Sequence, residues 1–255
     1  MTKIGLALSG GGARGFAHVG VLKALADIKF DVITGTSAGS IVGGALASGM
    51  TIDEIEAMAR KTKFRHVLRP SMSPRGLFSN ARLGSFLGSH FPVATFEEAV
   101  VPFAAVSYNI STGKEAIRNS GDMLEAIRAS CAVPGLFTPV LDSNGDLHVD
   151  GGVTAVMPVR LTRQMGADVV IAVDVLSCGA SFRSVPRIAT GVMVRSVMRL
   201  IETSLKIDRD DADLIIEPQI AHLRPDQIGK CAEFLTLGEE AGNQSREQVL
   251  KLING

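Results

Sequence analysis

Val32-Ile33-Thr34-Gly35-Thr36-Ser37-Ala38-Gly39-Ser40 decides how this chain is read. A short β-branched run meets Gly35-Thr36-Ser37-Ala38-Gly39, and small residues follow. The pattern predicts a strand, a sharp turn carrying a serine, and a helix pressed close to the strand. Glycines flank the serine because a strained turn and a close helix–strand approach both exclude Cβ atoms. At the helix N-terminus, Ser37 is placed for alkoxide character, and the Ala38 N–H for a developing oxyanion. As a bare pentad the pattern is weak, and a serine capping a helix is the plain alternative.

A second glycine signal lies upstream. Ile4–Leu8 is an apolar run, followed by Gly10-Gly11-Gly12-Ala13-Arg14-Gly15. It too reads as strand, turn and helix, with backbone N–H groups suited to negative charge. Gly10, Gly12 and Gly15 also satisfy the dinucleotide fingerprint, which keeps a nucleotide-binding protein as the alternative. That fingerprint wants an acid at the end of the next strand. Asp27 and Asp31 instead precede Val32-Ile33.

The serine needs a base. Of His18, His66, His90, His148 and His222, only His222 comes late enough for a Ser–Asp–His order, and its surroundings suggest no catalytic loop. Asp150 is the stronger candidate. It opens Asp150-Gly151-Gly152 after the apolar Leu147-His148-Val149, and the glycines allow close backbone approach. A carboxylate beside Ser37 could take its proton directly if the site shifts its pKa. The plain alternative is a turn, for which Asp-Gly is common.

Strands are predicted at Ile4–Leu8, Val32–Thr34, Phe103–Asn109, Leu147–Val149, Val169–Val173 and Leu214–Glu217. Helices are predicted at Gly15–Ala26, Ser40–Ser48, Ile52–Lys61, Met123–Ser130, Val159–Met165, Pro186–Ile207 and Glu239–Leu252. Their alternation implies a largely parallel sheet with helices on both faces. The 255 residues suit one α/β domain, 1–255. No charge falls between Val32 and Ile52, but five glycines and the turn signature favour strand, elbow and helix over a membrane span.

Residues 57–96 carry seven Lys and Arg and no Asp or Glu, with Pro70, Pro74, Pro92 and several large apolar groups. They read as an irregular excursion or a lid. Basic charge beside apolar groups suits peripheral contact with an anionic membrane, or a solvated loop whose apolar groups pack down.

Equal numbers of acidic and basic residues, 26 each, argue against a nucleic-acid binder. Cys131, Cys178 and Cys231 form no CxxC pair, so neither metal site nor disulfide framework is expected. The apolar start is too short for a signal peptide, and a cytoplasmic protein is expected.

Jointly, the Gly10–Gly15 loop, the Gly35–Gly39 elbow, the Asp150-Gly151-Gly152 turn and the run Ala129–Pro139 resemble the patatin-like phospholipase family, over roughly residues 4–220. The resemblance implies a three-layer α/β/α fold and a Ser37–Asp150 dyad acting on lipid acyl esters. It implies an oxyanion hole from Gly10, Gly11 and Gly12, with Arg14 steadying that loop, and no metal or organic cofactor. Transfer to an alcohol, or a regulator with negligible hydrolysis, would use the same fold.

Overall fold

Five short apolar runs become the parallel centre of one sheet. The computed structural model describes residues 2–176 and 209–254, with Val192, Arg195, Ser196, Arg199 and Leu200 between them. The parallel strands are β1 (Ile4–Leu8), β2 (Val32–Thr36), β5 (Phe103–Asn109), β9 (Val169–Val173) and β10 (Leu214–Ile216). Their order in the sheet is β10-β9-β1-β2-β5. Antiparallel strands complete that sheet: β6 (Lys114–Arg118) and β8 (Leu147–Asp150) both pair with β5, and β7 (Val140–Leu141) pairs with β8.

Alternate side chains along these strands serve two different cores, as the period of two requires. Leu6, Leu8, Ile33, Ile171 and Val173 join one large cluster. Helices α1 (Phe16–Ala24), α2 (Ala38–Ala47), α3 (Ile52–Lys61), α6 (Met123–Ser130) and α8 (Cys231–Asn254) pack into it. Ala7, Val170 and Ala172 face the other way, against Val159 of α7 (Val159–Gln164). The result is helix, sheet and helix in three layers.

Helix α8 starts eight residues before the expected Glu239, because Phe234 and Leu235 are buried against the core. Gly238 lets α8 touch α1 backbone to backbone: a Cβ there would lie 2.1 Å from the Ala17 carbonyl oxygen. The helix expected at Pro186–Ile207 lies outside the described residues, apart from the five positions named above, which are helical.

Residues 57–96 are more regular than their prolines suggest. Helix α3 carries a capping box, in which the Thr51 hydroxyl and the Glu54 carboxylate each accept the other's backbone N–H. Helix α4 (Phe64–Val67), an antiparallel pair β3 (Arg69–Pro70) and β4 (Phe78–Ser79), and helix α5 (Ala81–Gly88) follow. Leu83 and Leu87 of α5 are buried in the main core, which anchors the segment. Apolar anchoring thus gives this excursion from the sheet short elements of its own.

Candidate active site

Strand β2 ends in a strained residue. Ser37 has φ 51° and ψ −122°, the only positive φ outside glycine among the described residues. Helix α2 begins at the next residue, two positions before the expected Ser40. Hydrogen bonds over-determine this turn. The Ser37 N–H donates to Ser130 Oγ at 2.8 Å, and its carbonyl accepts from Ser40 Oγ at 2.6 Å. Gly39 presses α2 onto the end of β1, where a Cβ would fall 2.2 Å from the Leu8 carbonyl oxygen.

The sheet register brings Asp150 to the same level. Thr36 pairs with Val106 on one side of β5, and Asp150 pairs with Ser107 on the other. The Asp150 N–H donates to the Ala132 carbonyl at 2.9 Å, and Oδ1 accepts from the Gly152 N–H at 2.8 Å. Oδ2 is buried and makes no hydrogen bond. Burial raises the Asp150 pKa to about 6, while the neighbouring Ser37 hydroxyl and the Gly152 N–H pull it down. Ser130 and Ala132, only two residues apart, thus hold Ser37 and Asp150 respectively. These supports fall inside the Ala129–Pro139 run, although nothing in their residue types announces the roles.

The glycine loop departs from expectation at Gly10. The Gly10 N–H is already taken by the Val156 carbonyl at 2.9 Å, so it is no donor to a ligand. Arg14 is fully buried behind the loop, where Nε donates to the Leu223 carbonyl at 2.9 Å. It braces the loop and does not line the cavity. Gly11, Gly12 and Ala38 do line it, and their N–H groups meet no acceptor among the described residues. The loop touches the serine: a Cβ on Gly10 would lie 3.4 Å from Ser37 Cβ. Gly15, Gly35 and Gly151 sit where a Cβ would collide with backbone or a neighbouring Cβ, so they support the turns without offering chemistry.

Ser37 and Asp150 open into a cavity of about 610 Å³, within the range of small-molecule sites. Met58, Phe64, Leu68, Leu83, Phe86 and Leu87 supply one wall, and Leu136 and Phe137 another. Most of that wall comes from residues 57–96. A chamber lined this largely by apolar side chains suits an acyl chain, and of the arginines that line it Arg224 is already paired with Asp226.

None of the five histidines lines this cavity. His18 is buried with its Nε2–H donating to the Ser9 carbonyl, and desolvation lowers its pKa to about 4, which keeps it neutral. His148 is buried between Ser107 and Asp142. His222 faces Glu233 at an exposed position, and His66 and His90 pack on Phe86. Cys131 does line the cavity, but burial and the nearby Asp150 charge push its thiol far up, so it stays protonated. Asp31 accepts from the Ile4 N–H at the start of the sheet, and Asp27 pairs with Arg246. Neither acid reaches the glycine loop, so the dinucleotide fingerprint lacks its partner. Among the described residues no group of three His, Cys, Asp or Glu could hold a metal ion, and no helix is long and apolar enough to cross a membrane.

A family model for patatin-like phospholipases matches residues 6–163. An NTE family protein of Mycobacterium tuberculosis is 32% identical over 212 residues, covering 79% of this chain and 58% of that protein. Patatin-like phospholipase domain-containing protein 7 of Rattus norvegicus is 33% identical over 181 residues, covering 68% of this chain and 13% of that protein. The chain therefore spans only part of the length of these relatives. Among solved structures, VipD from Legionella pneumophila superposes with a TM-score of 0.57 at 14% identity, over 95% of this chain and 66% of that one. At that identity the likeness concerns the fold alone, and it agrees with the mostly parallel, three-layer architecture. With the elbow, the aspartate turn and the glycine loop assembled on that fold, the chain belongs to the patatin-like phospholipase family.

Proposed function

We propose that this chain hydrolyses lipid acyl esters through an acyl-enzyme on Ser37, with Asp150 as the proton acceptor. Membership of a phospholipase family supports a lipid substrate. The observation that carries the finer reading is the strained Ser37 beside the unpartnered, buried Asp150 Oδ2, at the end of an apolar chamber.

The steps follow from these positions. The Ser37 hydroxyl attacks the ester carbonyl carbon, and its proton passes to Asp150 Oδ2. The N–H groups of Gly11, Gly12 and Ala38 face the developing oxyanion. The tetrahedral intermediate collapses, and the leaving alkoxide takes the proton from Asp150. Water then attacks the acyl-serine and gives a proton to Asp150; as the second tetrahedral intermediate collapses, the fatty acid leaves and Asp150 returns that proton to the Ser37 oxygen, which restores both groups. A carboxylate with a pKa near 6 is a better base than an ordinary aspartate and is still mostly ionised at neutral pH.

A fluorophosphonate probe tests the reading. Its adduct, mapped by mass spectrometry, is expected on Ser37 and absent in Asp150→Asn. A folded protein that takes no label, or takes it elsewhere, overturns it. The pH profile is a second check. Activity requires ionised Asp150, so kcat/KM is expected to fall tenfold per pH unit below an apparent pKa of about 6. Activity that stays level down to pH 4.5 would remove Asp150 as the base.

A further inference from the structure

The chain's formal charge is zero, yet residues 57–96 hold seven cations and no carboxylate, so the compensating acids all lie elsewhere. Arg60 pairs with Glu56 of its own helix. The other six, Lys61, Lys63, Arg65, Arg69, Arg75 and Arg82, are exposed and form no ion pair with a carboxylate among the described residues. Beyond this segment, cations commonly face carboxylates: Lys23 with Glu56 and Glu239, Arg160 with Asp211, Arg246 with Asp27. One region therefore carries an uncompensated positive field on a neutral molecule.

Large apolar side chains stand exposed among these cations. Met72 is wholly exposed in the turn between β3 and β4, with Leu77 47% exposed at the far end of that turn. Phe64 is 50% exposed and also lines the cavity, so it stands at the cavity's edge. Leu68, which also lines the cavity, leads directly into Arg69 and the β3–β4 pair. The segment that walls the chamber is thus the segment that presents cations and apolar tips outward.

We propose that residues 60–82 form a docking face for a bilayer rich in anionic lipid, with Met72 and Leu77 entering the interface and Phe64 at the opening to the cavity. This rests on the lipid-ester reading of that cavity. Cations beside exposed apolar groups are the combination that holds a protein at an anionic interface, since each supplies a separate attraction. A nucleic acid would use the charge but leave Met72 and Leu77 in water. With the cavity edge at the interface, an acyl chain moves from bilayer to chamber without crossing water.

Vesicle co-sedimentation of the whole chain tests this. Phosphatidylcholine vesicles are compared with vesicles carrying about 30% phosphatidylglycerol, at about 0.1 M and about 0.5 M salt. Binding is expected to rise at least about tenfold with the anionic lipid and to fall at high salt. Lys63→Glu combined with Arg69→Glu and Arg75→Glu is expected to lose that gain, and Met72→Asp to weaken binding at either salt. Both variants should turn over a soluble short-chain ester within about twofold of the parent, which shows that the fold is kept. Binding indifferent to lipid charge, or unchanged in the triple variant, overturns the proposal. Charge-dependent binding with no turnover of the soluble ester supports the docking face and overturns the hydrolase reading instead.

Discussion

Exchanging Ser37 for alanine is expected to abolish ester turnover and leave the melting temperature close to that of the parent, while exchange for glycine abolishes turnover and raises the melting temperature. Both lose the hydroxyl that takes the acyl group. They differ in what they do to the backbone. At φ 51° and ψ −122°, any side chain with a Cβ is strained by about 1–3 kcal/mol. Alanine keeps that Cβ and therefore the strain. Glycine releases it and loses about 0.5–1 kcal/mol of that gain to the greater freedom of the unfolded chain. The net stabilisation is about 1 kcal/mol, or about 2–4 °C for a chain of this size. Thermal unfolding of the three proteins, with turnover of a chromogenic ester, measures both effects. A glycine variant less stable than the alanine variant would mean that the turn is not strained. Measurable acyl-enzyme turnover in either would remove Ser37 as the nucleophile.

Asp150→Asn is expected to lower kcat/KM by about 10²–10⁴-fold and at the same time stabilise the fold at alkaline pH. The activity falls because the amide has the carboxylate's shape but cannot accept the serine proton. The stability argument follows from the pKa. Burial raises it from 3.8 to about 6, so the folded state disfavours the ionised form. Relative to a group that never ionises, the parent is at full stability below pH 4 and loses stability as pH rises through 6. At pH 8 the deficit is about 3 kcal/mol, taking 1.36 kcal/mol per pKa unit. The asparagine variant should therefore unfold at higher denaturant concentration than the parent at pH 8, and the gap should close by pH 4. An asparagine variant less stable at pH 8 would show that the ionised carboxylate is better satisfied than its unpartnered Oδ2 implies. Opposite signs for activity and stability would mark Asp150 as a residue kept for chemistry at a cost to the fold.

Much of this was legible in the residues. Ile4–Leu8, Phe103–Asn109 and Val169–Val173 are strands at the bounds their apolar runs predict, because all three are buried on both faces. Ile52–Lys61 and Met123–Ser130 match as well, each with its own cap at Thr51 or Asp122. Strand β6 escaped notice because Lys-Glu-Ala-Ile-Arg is largely exposed on the pairing partner of β5 and carries little apolar signal. The regularity of residues 57–96 escaped because its anchors, Leu83 and Leu87, act through a core built by distant segments.

For the site, the division is similar. The glycine spacing, the elbow and the aspartate turn are local chemistry: a missing Cβ or a forced turn follows from a few adjacent residues. The sequence alone also set the charge asymmetry of residues 57–96. What it did not determine is which N–H groups remain open. Gly10 looks as fit a donor as Gly11 until Val156, 146 positions away in the chain, takes its hydrogen. Arg14 reads as a prop for the loop, but the carbonyl it reaches, that of Leu223, lies 209 positions away in the chain. Only the register of β2 and β8 on either side of β5 brings Ser37 level with Asp150, and only the surrounding burial lifts that carboxylate's pKa. Turn preference is settled within a few residues, whereas hydrogen-bond occupancy and desolvation depend on groups that meet only when the sheet closes.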